Sequence, residues 1–143
     1  MKIKPIVLEE IKTKHTNYIL DLKFVSNITF ITGDSGVGKS AVYAFLDEYS
    51  SEDNRIRCIN YIDHNKPYKT SIKNSKNKVF VIDNADLLLN DNLRRYIVTD
   101  TNNQYIIIGR NPSGLFLSQD DINELESKNK NGITVFRLKK LFD

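Results

Sequence analysis

A single cysteine, Cys58, rules out an internal disulfide and a thiolate-bound metal cluster. The two histidines, His15 and His64, share no metal-ligand spacing, and both are expected at the surface. No run approaches the roughly 18 apolar residues needed to cross a membrane. Residues 1–10 carry lysines without the apolar stretch and small-residue cleavage site of a signal peptide. No internal repeat is visible, and no Pro/Gly/Ser-rich linker divides the chain. The net charge of +3 is too small to name a partner. These absences leave a reducing, cytoplasmic setting, no membrane association, and one domain over residues 1–143 that is long enough to bury a core.

What is present alternates strands with helices. Residues 18–24 place Tyr18, Leu20, Leu22 and Phe24 on one face, as in a half-buried strand. An extended stretch near residues 3–11 is expected to pair with it across the polar turn Lys14-His15-Thr16-Asn17. Residues 28–32 are rich in β-branched and aromatic side chains and stop at Gly33. The period then changes: Val42, Phe45, Leu46 and Tyr49 predict a helix that turns Asp47 and Glu48 to solvent. Residues 56–62 read as another strand. Val79-Phe80-Val81-Ile82 and Tyr105-Ile106-Ile107-Ile108 are continuous apolar runs, as expected of strands covered on both faces in a parallel sheet. Between them, Leu93, Tyr96 and Ile97 suggest a helix capped by Asp91. Ser118 and Asp121 resemble a capping box opening a helix through Leu125, and the turn Asn129-Lys130-Asn131-Gly132 leads into a last strand at 133–138. The expected class is α/β: helices layered on a mainly parallel sheet, with an antiparallel hairpin at the N-terminus.

The strongest motif is Gly33-Asp34-Ser35-Gly36-Val37-Gly38-Lys39-Ser40, a full match to G-x-x-x-x-G-K-[S/T] followed by Ala41. Glycines let a backbone bend round a polyphosphate with no Cβ in the way. Successive N–H groups then form an anion nest, reinforced by the N-terminus of the following helix. Lys39 brings a mobile positive charge to the outer phosphates. The Ser40 hydroxyl is a hard oxygen suited to Mg2+. The bland reading is a chance glycine-rich turn, but the motif sits between a predicted strand and an amphipathic helix, which is the context it requires. A magnesium at such a site needs a carboxylate at the end of a neighbouring buried strand. Asp83, directly after the run at 79–82, supplies one, with a helix N-cap as its alternative role.

On these residues the chain resembles the P-loop NTPases, with residues 33–40 as Walker A and 79–83 as Walker B. One extra strand, 56–62, falls between the motifs, similar to the additional-strand division that includes AAA-type, STAND and ABC-type ATPases. The lead-in hairpin is also similar to that division, and the strand 105–108 ending in Gly109-Arg110 resembles its sensor strand. The resemblance covers most of residues 16–138. It implies a three-layer sandwich, ATP and Mg2+ as ligands, and hydrolysis at the site.

Departures qualify that last implication. The division places a glutamate after the Walker B acid to orient water, whereas this chain has Asn84, Ala85 and Asp86. Asparagine can position a water but cannot take its proton. Asp86 is the substitute candidate, or else an ordinary acid near a helix start. No LSGGQ-type segment occurs, so this is not a complete ABC ATPase domain. ATP is favoured over GTP because Asn65-Lys66-Pro67-Tyr68 lacks the aspartate of the guanine-reading N-K-x-D motif and precedes the Walker B strand.

The expected function is therefore ATP binding with Mg2+ and slow hydrolysis at most, with nucleotide state altering the fit to a protein partner or second copy. A small-molecule kinase and a non-catalytic, nucleotide-dependent assembly module are the rivals. Arg110 is a candidate for the terminal phosphate or for a surface ion pair. Arg94 and Arg95 are expected on a solvated helix face, with a kinase-like phosphate clamp as the other role. Five lysines (Lys66, Lys69, Lys73, Lys76, Lys78) flank Tyr68 between residues 64 and 78. That pattern suits a soluble loop, and less readily a nucleic-acid contact with Tyr68 stacked on a base.

Overall fold

The computed structural model describes residues 3–33 and 38–142. Eight strands run in chain order as β1 (Glu10–His15), β2 (Tyr18–Lys23), β3 (Ile28–Thr32), β4 (Ile56–Ile59), β5 (Val79–Ile82), β6 (Gln104–Ile108), β7 (Ile122–Lys130) and β8 (Ile133–Lys140). The helices are α1 (Lys39–Tyr49), α2 (Tyr68–Lys73), α3 (Ala85–Leu88) and α4 (Asp91–Thr99). All eight strands join one sheet in the order β1-β2-β8-β7-β3-β6-β5-β4. Strands β7, β3, β6, β5 and β4 lie parallel to their neighbours in that series. Strands β1 and β2 form an antiparallel hairpin, as do β7 and β8, and the two hairpins meet where β2 runs parallel to β8.

The sheet is strongly curled, and α1 lies inside the curl. On edge strand β1, His15 stacks its ring on Phe45 of α1 at 4.7 Å between centroids. Toward the opposite edge, Val42 and Leu46 of α1 share a core with Ile56 of β4. Eight strands laid flat would span roughly 33 Å at the usual ~4.8 Å spacing, while a helix is only about 10 Å across. One helix can reach both edges only if the sheet bends round it.

The layered sandwich implied by the P-loop resemblance is therefore not the architecture of this chain. The sheet is mixed, only α1 and α4 exceed two turns, and the half made of β1, β2, β8 and β7 has no helix inserted between its strands. The reason is written on the outer face of that half. Lys12 pairs in register with Asp21, Asp21 with Arg137, and Arg137 with Glu126, a row of alternating charge across four strands. Arg137 Nε donates to Asp21 Oδ2 at 3.2 Å. A face of compensated charge is content in water and gives a helix no apolar surface to cover.

Two separate cores result. One joins α1 (Val42, Tyr43, Leu46) to Leu20, Leu22, Ile31, Val81, Ile106 and Phe136 on the concave side. The other joins α2, α3 and α4 (Ile72, Leu88, Leu93, Ile97) to Phe30, Phe80, Ile82, Tyr105 and Ile107 on the opposite face of the parallel strands. Strands β5 and β6 contribute to both cores, and all of their residues are buried.

Several local expectations are corrected. The helix predicted from Ser118 is a single 3-10 turn, although Ser118 N does donate to Asp121 Oδ2 at 3.0 Å. Strand β7 follows at once, because Asn123 and Leu125 turn inward while Glu124 and Glu126 turn outward, a period of two. The strand expected at 56–62 ends at Ile59: Asn60 Oδ1 accepts from Ile62 N at 3.0 Å and coils 61–63 into a 3-10 turn. Helix α4 is capped by Asn90, whose Oδ1 accepts from Leu93 N at 2.8 Å, and not by Asp91. Among the described residues no helix is long and apolar enough to cross a membrane.

Candidate functional site

Parallel strands end on a common edge, so side chains that follow β3, β5 and β6 are brought together there. An open cleft of about 570 Å3 lies at that edge, lined by Gly38, Lys39, Ser40, Ala41, Asp83, Asn84, Asp86, Ile108, Gly109 and Arg110. Every described residue of the sequence-predicted site except Gly33 lines it. Gly33 ends β3 and is tied to the site by Lys39 Nζ, which donates to the Gly33 carbonyl. Asp34, Ser35, Gly36 and Val37 lie outside the described residues.

The start of α1 supplies the donors. Gly38 adopts φ 95°, and the helical ladder begins with Val42 N donating to Gly38 O at 2.9 Å. The amides of Lys39, Ser40 and Ala41 thus stand outside the ladder, as first-turn amides must. No side chain caps them among the described residues, and the first turn holds no acid. The positive end of the helix dipole and the Lys39 ammonium therefore reinforce one another at the cleft.

Asp83 follows four buried residues of β5 and is itself half-buried. Its Oδ1 accepts from Asn84 N at 2.8 Å, which leaves further acceptor capacity on the carboxylate. Asn84 takes a left-handed conformation at φ 52°, one that asparagine tolerates better than most residues. Its Oδ1 accepts from Tyr61 N at 3.2 Å, so the side-chain oxygen is turned toward the 3-10 turn after β4.

Asp86 is bound by backbone. Its Oδ2 accepts from Arg110 N at 3.0 Å and its Oδ1 from Asn111 N at 2.9 Å. Both oxygens hold the segment after β6, so the geometry makes Asp86 an anchor of that loop. Arg110 is exposed at the cleft, and its guanidinium makes no hydrogen bond or ion pair among the described residues.

Sequence reasoning missed Arg94. It was expected on a solvated face, yet it is only 5% exposed. Its Nε donates to Leu89 O at 3.1 Å, and its Nη1 donates to Asn111 O and Ser113 O at 2.7 Å each. Its Nη2 lies 3.9 Å from Asp86 Oδ1. The available signal was spacing: Arg94 precedes buried Ile97 by three residues, which puts both on one helix face. Arg95 is the exposed one, donating to Asn92 Oδ1.

Features outside the cleft are quieter. His15 is buried, contrary to expectation, between Thr13 Oγ1 at 2.7 Å and Glu48 Oε1 at 3.2 Å, while His64 is exposed. The lysine-rich stretch contains α2, and Tyr68 is buried with its hydroxyl donating to Leu88 O at 2.6 Å. That ring is not free to stack on a base. Lys66 pairs with Asp63 at 3.5 Å, and Lys73 stands over the Tyr96 ring.

No family model matches the sequence, and no curated protein matches it.

Proposed function

We propose that this chain binds a nucleoside triphosphate, ATP in preference to GTP, together with Mg2+. The observation that carries the reading is the uncapped start of α1, with Lys39 and Ser40, opening on the same cleft as Asp83 and Arg110. Residues 33–40 cradle the phosphates through backbone amides, and Lys39 neutralises their charge. The donor set suits Mg2+: a serine hydroxyl and a carboxylate are hard oxygens, and two protein ligands beside phosphate oxygens and water are typical for that ion. Ser40 and Asp83 would hold it, and the ion would neutralise phosphate charge when bound. A cytoplasmic setting, where ATP is plentiful and Cys58 stays reduced, belongs to the same reading.

Binding without efficient hydrolysis is favoured. Asn84 cannot accept a proton, and each oxygen of Asp86 already accepts a backbone amide that ties it to the segment after β6. Turnover by the isolated protein should fall below about 1 s−1, the low end of ordinary enzymes. Nucleotide occupancy then serves to change the fit to a partner.

A thermal-shift series tests the reading. ATP with Mg2+ at a hundred times its Kd should stabilise the fold by about 2.7 kcal/mol, a rise of roughly 8 °C in Tm for a chain of this size. Lys39→Ala should abolish the rise. The proposal fails if no nucleotide shifts the native protein, or if Lys39→Ala responds equally.

A further inference from the structure

If the cleft holds a triphosphate, as proposed above, Arg110 lies where it meets the terminal phosphate. Strand β6, which Arg110 follows, runs between β3, which leads to the phosphate loop, and β5, which leads to Asp83. Arg110, exposed on that shared edge, lines the same cleft as Lys39 and Asp83. It would carry a charge-assisted contact that a diphosphate cannot reach.

An exposed arginine contributes little when the backbone that bears it must also be ordered on binding, a cost added to the rotamer freedom its side chain loses. The segment that bears Arg110 is unusually well fixed. Asp86 takes the amides of Arg110 and Asn111, and Arg94 takes the carbonyls of Asn111 and Ser113. The same two side chains face one another, 3.9 Å apart, so the amides and carbonyls of one turn are gripped by a single charged pair. Gly109 leaves no slack: a Cβ there would stand 3.1 Å from Ala85 Cβ and 3.3 Å from Asp86 Oδ1.

We infer that Asp86 and Arg94 are positioning residues that hold the turn after β6 so that Arg110 discriminates a nucleoside triphosphate from a diphosphate. They act through the backbone of residues 110–113 and need not touch the ligand.

The test measures Kd for ADP and for the non-hydrolysable β,γ-imido analogue of ATP, both with Mg2+. Arg110→Ala should weaken the triphosphate analogue about tenfold and ADP by less than about twofold, the value of one hydrogen bond to a charged group. Asp86→Asn should reproduce that selective loss, because its amide nitrogen cannot accept from a backbone N–H. The double variant should be no weaker than Arg110→Ala alone. A merely structural role would weaken both ligands in proportion and add to Arg110→Ala, and that result overturns the inference. Arg94→Lys, which keeps the charge but loses the fork, is read by the same ratio if Asp86→Asn does not fold. An unchanged ratio in Arg110→Ala overturns it by itself. If the native protein binds neither ligand, the phosphate site is what fails, and the positioning role falls with it.

Discussion

Single residues decide whether the cleft exists. Gly38 is the clearest case, since two independent constraints meet there. Its φ of 95° is one that side-chain-bearing residues rarely adopt, and an added Cβ would stand 2.7 Å from Cε1 of the buried Phe136 ring. Gly38→Ala should cost about 1–3 kcal/mol, strain and overpacking combined. Urea unfolding would show a lower midpoint with an unchanged slope. Because Gly38 also starts α1, the variant should lose nucleotide-dependent stabilisation out of proportion to its loss of stability. An equally strong ligand response in a folded Gly38→Ala protein would separate the glycine from the site. Arg94 teaches the complementary lesson. A cation counted as solvated from its type alone is the most deeply engaged charge near the cleft, because it answers the backbone carbonyls of Leu89, Asn111 and Ser113.

At the scale of elements, His15 ties β1 to α1. A carboxylate can only accept, so His15 Nδ1 donates to Glu48, while Nε2 lies 2.7 Å from Thr13 Oγ1. The ring also stacks on Phe45 at 4.7 Å. His15→Ala removes the stack and leaves Thr13, only 8% exposed, without that partner. We expect a loss of about 1–3 kcal/mol. Amide exchange should accelerate across β1 and β2 well before it does in β5 and β6. Uniform acceleration throughout the sheet would contradict this division.

The same scale shows what was legible in the sequence. The runs at 79–82 and 105–108 declared themselves because a strand covered on both faces must be apolar at every position, and runs this short suit a strand better than a buried helix. The helix after Lys39 was legible from its 3.6-residue period. Three things were not. Residues 122–130 carry a period of two, but a genuine Ser118–Asp121 box preceded them and was read as a helix start, when it closes only one turn. The burial of His15 depends on α1 crossing an edge strand far away in sequence. Above all, the curl and the mixed sheet depend on β2 meeting β8, a pairing of residues more than a hundred positions apart that no local pattern announces. The described residues that motif spacing grouped, Gly33 aside, line one cleft, while the architecture built from the same resemblance was wrong.

For the whole molecule, the joining of the two hairpins side by side sets an order of events. Strand β8 lies between β2 and β7 and touches Gly38 through Phe136, so the wall opposite the parallel strands stays open until β8 arrives. Loops that join distant segments close slowly, and their closure governs folding rate. During synthesis on the ribosome, a nascent chain halted before residues 133–140 leave the exit tunnel should keep residues 10–23 open to protease, even though everything upstream has been made. Lengthening the tether until those residues emerge should confer resistance in one step. Closure of the lattice of strands would then wait on residues 133–140, well after the first hairpin has been made.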